Sequence, residues 1–281
     1  MTQHSKLAMP LLSEREFAIF RDPFVYGYVD DFLPAPLYQS LESHFPALDS
    51  FSEVKELHYG KQFYKIKMGD PVDGLANVSE AWRQWIDFIR SARFLDDCRT
   101  WSREFLTAYR KPARDPSLLW LLGDRPALSN WTVELNCEFS ELRRDTLLPP
   151  HTDSVDKVLS FMLYFPQVGW KADWGGGTQT FQPLERKYDS NWSNSRLPRS
   201  HTELVFDGEF RANRLFFFAK SANSWHGVKR LSCPRETPRR SFNFSIAIPR
   251  EQRQGRSFRT KERLIRKLEL PRFESFKAFD E

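Results

Sequence analysis

The stretch "LLPPHTDSVDKVLSFMLYF" (Leu147–Phe165) decides how the rest of the chain is read. Two prolines end whatever precedes them. His151 and Asp153 follow, two residues apart, and then comes an apolar run, Lys157–Phe165, of strand length. In a strand, residues i and i+2 point to the same side, so His151 and Asp153 could reach one ion together. The same tripeptide is also compatible with a polar turn after a proline stop. The choice depends on what the remaining chain supplies as a third ligand.

Working outward, the texture from about residue 118 onward is that of short strands separated by turns. "SNWTVELNCEF" (129–139) reads as a strand. "WGGGTQTF" (174–181) reads as a glycine-broken strand, and "TELVFDGEF" with "NRLFFFAK" as strand, turn and strand. "RRSFNFSIAI" (239–248) alternates polar and apolar with period two. Such a series predicts an antiparallel sandwich or barrel. Residues 184–200 form a polar segment between strands, a long loop over one face of the kind that often contacts ligands. Gly175, Gly176 and Gly177 either let the backbone pass close to another strand or form a bulge.

The N-terminal third mixes strand and helix. "PFVYGYVDDFLP" (23–34) reads as strand and turn, and 35–45 as a helix. Ser79 is an N-cap for a helix whose Trp82, Trp85, Ile86 and Ile89 repeat at i, i+3, i+4 and i+7, the period of one buried face. A second helix spans 95–109, with Cys98, Trp101 and Phe105 on one side, and a basic helical stretch, 252–270, packs outside the core. The implied division is an N-terminal support (1–117), a strand-rich core (118–250) and a basic C-terminal tail (251–281), all within one structural domain.

Composition sets the class. The 281 residues are 40% apolar and 28% charged, the balance of a soluble globular chain. Aromatics reach 15%, with 25 Phe, which favours a sheet-rich core. A net charge of +5 attracts anions but does not establish a nucleic-acid partner. Three scattered cysteines, Cys98, Cys137 and Cys233, make a disulfide framework or thiolate zinc site a poor fit and suit a reducing compartment. With no signal peptide and no apolar run near the ~20 residues of a membrane helix, the expectation is a cytoplasmic protein with no membrane partner.

Two histidines and one carboxylate on one face of a metal leave positions open opposite, the ligand set of non-haem Fe(II) oxygenases. The missing histidine must be distant in sequence. His4 lies near the N-terminus; His44 and His58 fall outside the strand-rich region. His201 and His226 remain. His226, in "ANSWHGVKR", follows an apolar strand and a polar turn. His201 belongs to a rival claw, "HTE" (His201–Glu203), which lies after the glycine-rich strand and leaves too little chain before His226; these two residues read as loop or strand-start residues.

The ordered features "PPHTD…LSFMLYF…WGGGTQTF…NRLFFFAKSANSWHGV…RRSFNFSIAI" resemble the 2-oxoglutarate- and Fe(II)-dependent oxygenases, most closely the prolyl-hydroxylase-like branch. "DPFVYGYVDDFLPAPLYQSLESHFP" (22–46) is similar to the N-terminal strand and helix of that group. The resemblance covers 130–248 strongly, 22–46 more weakly, and the C-terminal tail not at all. It implies a mainly β fold, the double-stranded β-helix or jelly-roll barrel, with helical support. It also implies Fe(II) at His151, Asp153 and His226, with 2-oxoglutarate and O2 as co-substrates, and a dioxygenase reaction in which 2-oxoglutarate yields succinate. Because Asp153 fills the carboxylate position that related halogenases lack, hydroxylation or a related oxidation is the implied outcome.

The far carboxylate of 2-oxoglutarate needs a cation within the barrel, and Arg supplies a planar fork that matches it. The choice lies between Arg239 and Arg240. The resemblance implies an Arg-x-Ser or Arg-x-Ala pattern at the start of the last core strand, which favours Arg239 with Ser241; period two then turns Arg240, the alternative, outward. Tyr164 matches a tyrosine that bonds the same carboxylate in similar proteins, with a plain core aromatic as its other reading. Asn136 and Trp225 are candidate substrate contacts. The expected substrate is a small molecule or a peptide. Rival readings are a metal enzyme on the same barrel that uses no 2-oxoglutarate, and a non-catalytic jelly-roll binding module.

Overall fold

In this computed structural model, residues 8–57, 60–66, 70, 78–108, 133–249, 251, 254 and 256–273 are described. His4 and His58, the two histidines set aside above, the division at 117/118, residues 129–132 of the expected strand, Tyr109, and residues 252, 253 and 255 lie outside them.

The strands are β1 (Ala18–Phe20), β2 (Tyr26–Val29), β3 (Lys55–Glu56), β4 (Lys61–Ile66), β5 (Glu134–Leu142), β6 (Leu148–His151), β7 (Lys157–Phe165), β8 (Gln179–Pro183), β9 (Thr202–Asp207), β10 (Leu215–Ala219), β11 (His226–Val228) and β12 (Arg239–Ala247). They form two antiparallel sheets with orders β1-β2-β10-β7-β12-β5-β4-β3 and β6-β11-β8-β9. The long central ladder pairs β12 with β5 from Arg239↔Leu142 to Ala247↔Glu134, and with β7 on its other side. The expectation of a mainly β, double-stranded β-helix with helical support is met.

Period two divides the large sheet into two unlike faces. Outward residues Phe139, Phe161, Phe165, Phe217, Phe242 and Phe244 join the main apolar core. The helices α1 (Ala35–Ser43), α2 (Glu80–Arg90) and α3 (Ala92–Ala108) cover that face. Trp82, from the α2 stripe, is fully buried, sits 4.8 Å from the Phe139 ring and 4.9 Å from that of Phe242, and donates its indole N–H to the Leu41 carbonyl. Ser79 caps α2 by accepting from the Trp82 amide, as expected. Burying six to eight such aromatics is the dominant stabilising term, at about 1.5–3 kcal/mol each.

Three expectations change. The glycine-rich stretch is not a strand throughout: a tight turn spans Ala172–Trp174, Gly175 and Gly176 have φ of 80° and 106°, and β8 begins only at Gln179. A Cβ on Gly177 would lie 1.6 Å from the Gly208 carbonyl oxygen, so close backbone passage explains that residue. Strands β3 and β4 were missed, because the alternation in "KQFYKI" places Lys61, Phe63 and Lys65 on one face and looks like a solvated edge.

The third change concerns residues 184–200. They do not line the cleft between the sheets. They lie behind the small sheet instead. The Leu197 amide donates to the Pro150 carbonyl, the Thr152 hydroxyl to the Asn191 carbonyl, and the Trp225 indole to the Tyr188 carbonyl. A C-terminal helix, α4 (Arg256–Phe273), seals this clasp. Its buried face is Ile265, Glu269 and Phe273, one side of the helix at i, i+4 and i+8. Glu269 accepts from the Ser193 amide at 2.7 Å and the Ser190 hydroxyl at 3.1 Å, and Phe273 packs on Tyr188 and Trp225. The basic tail is therefore a structural strut. Replacing Glu269 by Ala should cost about 1–3 kcal/mol in thermal or urea unfolding, because two donors lose a charged acceptor. The Glu262→Ala change, at an exposed helix pair with Arg266, should shift stability by less than about 0.5 kcal/mol.

Candidate active site

The two sheets flank a cleft with a cavity volume of about 120 Å³, lined from both sides. On the small sheet, β6 and β11 pair so that His151 and His226 are direct cross-strand partners. Their ring centroids are 4.2 Å apart, and both are nearly buried. Asp153 does not reach them by strand alternation. β6 ends at His151, and Asp153 lies in the following turn with φ of 68°. Asp tolerates this left-handed conformation better than most residues. The turn brings its carboxylate to 3.6 Å from His151 Nε2 and 3.9 Å from His226 Nε2. One donor atom from each of the three lies within 4.8 Å of the others, an arrangement that could hold a metal ion.

The protonation pattern favours a cation there. His151 Nδ1 is 2.9 Å from the Pro149 carbonyl, and His226 Nδ1 is 2.9 Å from the Ser224 carbonyl. A carbonyl only accepts, so each Nδ1 carries the proton and each Nε2 presents a lone pair. Burial pushes the His226 pKa down to about 4, only partly offset by Asp153, and holds His151 well below the usual imidazole range. Burial opposes ionisation of Asp153, but Lys157 and the two imidazoles hold its carboxyl well below the ordinary value. Lys157 Nζ at 2.9 Å and the Ser160 hydroxyl at 3.2 Å both donate to Asp153 Oδ2 and fix its orientation.

Further along the same cleft lies Arg239, whose side chain faces inward. It is 3% exposed, its Nε donates to the Gly176 carbonyl, and its Nη1 donates to the Ser241 hydroxyl at 3.0 Å. Its guanidinium carbon lies 5.1 Å from the Tyr164 ring centroid and 5.0 Å from that of Phe210. No carboxylate of the described residues lies within ion-pair distance of it. Arg240 turns the other way, as parity requires, to Glu141 at 3.0 Å and the Phe45 ring. Tyr164 is fully buried beside Arg239, but its hydroxyl is engaged by the Thr178 hydroxyl at 2.6 Å and the Thr178 amide at 3.1 Å. Thr178, not Tyr164, reaches the cleft wall.

Ser140 was not singled out in the sequence. It is the cross-strand partner of Ser241, is fully buried, lines the cleft, and its hydroxyl has no hydrogen-bond partner. Asn136 does line the cleft. Trp225 does not: its ring is buried on the far side of β11 among Phe181, Tyr188, Leu197 and Phe273, so it supports the strand and has no route to a substrate. The rival claw does not assemble. His201 ends a short turn and pairs with Glu185 at 3.4 Å, and Glu203 is exposed on β9. His44 is exposed on the helical side.

Fold and site together define a non-haem iron oxygenase core. Residues 137–246, the segment that builds the site, match the family model of the 2OG-Fe(II) oxygenase superfamily. The chain is an oxidoreductase, an Fe(II)- and 2-oxoglutarate-dependent dioxygenase. Similar solved structures include a prolyl-4-hydroxylase of Pseudomonas putida, with 19% identity, 80% of this chain and 92% of that one covered, and a TM-score of 0.47. A prolyl hydroxylase of Trichoplax adhaerens, in complex with a hypoxia inducible factor oxygen degradation domain peptide fragment, gives 11%, 85%, 86% and 0.46. HygX of Streptomyces hygroscopicus, with nickel, 2-oxoglutarate and hygromycin B bound, gives 11%, 80%, 83% and 0.46. No curated protein sequence matches the chain. Among the described residues, no helix is long and apolar enough to cross a membrane.

Beside the metal-binding cluster, Glu138 accepts from Lys61 at 2.5 Å and from the Asn243 side-chain amide at 3.0 Å. Burial opposes its ionisation, but Lys61, Lys65 and Lys157 outweigh this and bring its carboxyl from 4.5 to about 2. A depressed carboxylate pKa stabilises the fold above the unfolded value and loses that contribution as pH falls towards the folded value. Glu138→Gln should therefore destabilise the protein by up to about 3 kcal/mol at neutral pH. In urea unfolding, the gap between wild type and variant should close as pH falls from 4.5 towards 2.

Proposed function

We propose that the chain is a hydroxylase of a small-molecule or peptidyl substrate, with His151, Asp153 and His226 holding Fe(II) and Arg239 with Ser241 holding the far carboxylate of 2-oxoglutarate. One observation supports this most: a guanidinium sealed in the same cleft as the His-Asp-His cluster, with no carboxylate among the described residues to neutralise it. An unpaired buried charge costs several kcal/mol, so such a group implies an anionic ligand. The fit of iron rests on the two Nε2 lone pairs converging with an ionised carboxylate. The fit of the co-substrate rests on Arg239 and on the orphaned Ser140 hydroxyl beside Ser241, which supplies a further donor.

When bound, Fe(II) supplies O2 activation coupled to conversion of 2-oxoglutarate to succinate and CO2. The chain's own residues place the partners for it. His151, Asp153 and His226 would hold the ion and would leave positions free for co-substrate and O2. Asp153 fills the third protein position, which favours hydroxylation over halide transfer. Lys157 and Ser160 keep its carboxylate from swinging away. Phe218, with its ring 4.1 Å from that of His226, excludes water from one flank. Arg239, in the same cleft as the metal ligands, would set the co-substrate's direction there.

Anaerobic addition of Fe(II) and 2-oxoglutarate should produce a visible charge-transfer band, and admission of air should give succinate. His226→Ala should lose both and His201→Ala neither; an unchanged band in His226→Ala would refute the ligand assignment. Arg239→Ala should weaken 2-oxoglutarate binding by about 10²-fold or more, the cost of removing the cation of a buried charge pair. Ser140→Ala should weaken it by about fivefold, one hydrogen bond's worth. The Ser140→Ala protein without ligands should melt no lower than wild type, because the hydroxyl it loses has no partner in the chain. Calorimetric titration and thermal unfolding check both.

A further inference from the structure

The inner wall of the large sheet is divided by chemistry. On the β10 and β2 side it is aromatic, with Phe216, Phe218 and Tyr26 in one stacked cluster. On the β4, β5 and β12 side it carries Lys61, Lys65, Asn136, Glu138, Asn243 and Ser245. A polar wall inside a barrel is costly unless its groups are matched. Most are. Glu138 is matched by Lys61 and Asn243, and Asp153 by Lys157.

One buried group is left over, and it lies in a row with an exposed cation. Lys65, Glu138 and Asn243 are successive cross-strand partners on β4, β5 and β12. Lys65 Nζ has no carboxylate within ion-pair distance among the described residues; it rests over the Phe63 ring at 5.6 Å. The Asn243 side-chain carbonyl oxygen is buried and accepts no hydrogen bond. The row thus presents an exposed cation, part of whose field falls on Glu138, beside a buried acceptor without a partner. β4 lies beyond β5, at the margin of the large sheet, and has no counterpart in the small one. Lys61 and Lys65 on it line the same cleft as the metal-binding cluster.

The charge balance points the same way. Lys61, Lys65, Lys157 and Arg239 face two carboxylates, Glu138 and Asp153. A divalent ion and the 2-oxoglutarate dianion cancel one another, and the imidazoles are neutral. Two positive charges remain on the wall.

From this we infer that the substrate is anionic, a carboxylate- or phosphate-bearing molecule whose charged group meets Lys65 and whose neighbouring N–H or O–H donates to Asn243 Oδ1. The inference rests on the oxygenase reading of the same cleft. Lys65 is the specificity-determining residue, and Lys61, tied to Glu138, is its positioning neighbour.

The test uses the full chain as its anaerobic Fe(II)·2-oxoglutarate complex and two matched pairs of probes. These are N-acetylaspartate amide against N-acetylasparagine amide, and N-acetylphosphoserine amide against N-acetylserine amide. Binding is read from the shift of the charge-transfer band and from calorimetry. At least one acidic probe should bind about tenfold or more tighter than its neutral mate, and the pair that discriminates identifies the carboxylate or the phosphate as the favoured anion. Lys65→Ala should abolish the difference and Lys65→Glu reverse it, with the band itself retained in both. Arg235→Ala, removing an exposed cation away from the cleft, should change nothing. Equal binding of both mates in both pairs, no binding of either acid, or an unaltered preference in Lys65→Ala overturns the inference. Failure of wild type to form the band at all would instead refute the oxygenase reading, which keeps the two separable.

Discussion

The antiparallel pairing of β6 with β11 is the constraint on which the site depends. Its register sets His151 opposite His226. A slip of one residue would turn one imidazole out of the cleft, because side chains alternate along a strand. Little of the pairing is local: the two strands are short, and 74 residues of chain lie between the histidines (152 to 225). The register is held from behind. Residues 184–200 bind Pro150 and Thr152 of the β6 side and the Trp225 indole of the β11 side, and α4 closes over them through Glu269 and Phe273. The segment that reads as a long ligand-contacting loop instead braces the metal-binding geometry from behind, and a three-ligand site requires such support.

The large sheet solves a second problem. Its inner face must carry charged groups for ligands, so it cannot supply the hydrophobic burial that stabilises a barrel. The outer face supplies it, through the aromatic residues of β5, β7, β10 and β12 packed beneath α1, α2 and α3. The high aromatic content is the chemical counterpart of a polar interior: the core lies between sheet and helices, leaving the space between the sheets to ligands.

Much of the site was legible. His151, Asp153 and His226 are reactive residue types in a fixed order of strands, and the parity of "RRSF" separates Arg239 from Arg240. The strand argument for His151 and Asp153 gave the correct pair for the wrong reason, since a left-handed turn at Asp153 brings them together. Trp225 read as a cleft residue because its neighbour in sequence is one, whereas adjacent strand residues face opposite sides. Ser140, Lys65 and Glu138 were illegible. A serine or lysine alternating with apolar residues has the pattern of a strand whose polar side meets water, and sequence does not tell an aqueous surface from a ligand cleft.

The sequence by itself determined the class of chemistry, the order of the strands and which arginine turns inward, because these follow from side-chain type and from period two. Tertiary structure decided which polar groups remain without partners. Among the described residues, Arg239 lacks a carboxylate, Ser140 lacks any acceptor or donor, and the Asn243 carbonyl oxygen is left over once Glu138 has taken Lys61 and the Asn243 amide. That balance depends on distances between strands far apart in the chain, and it is the leftover groups that indicate what the cleft binds.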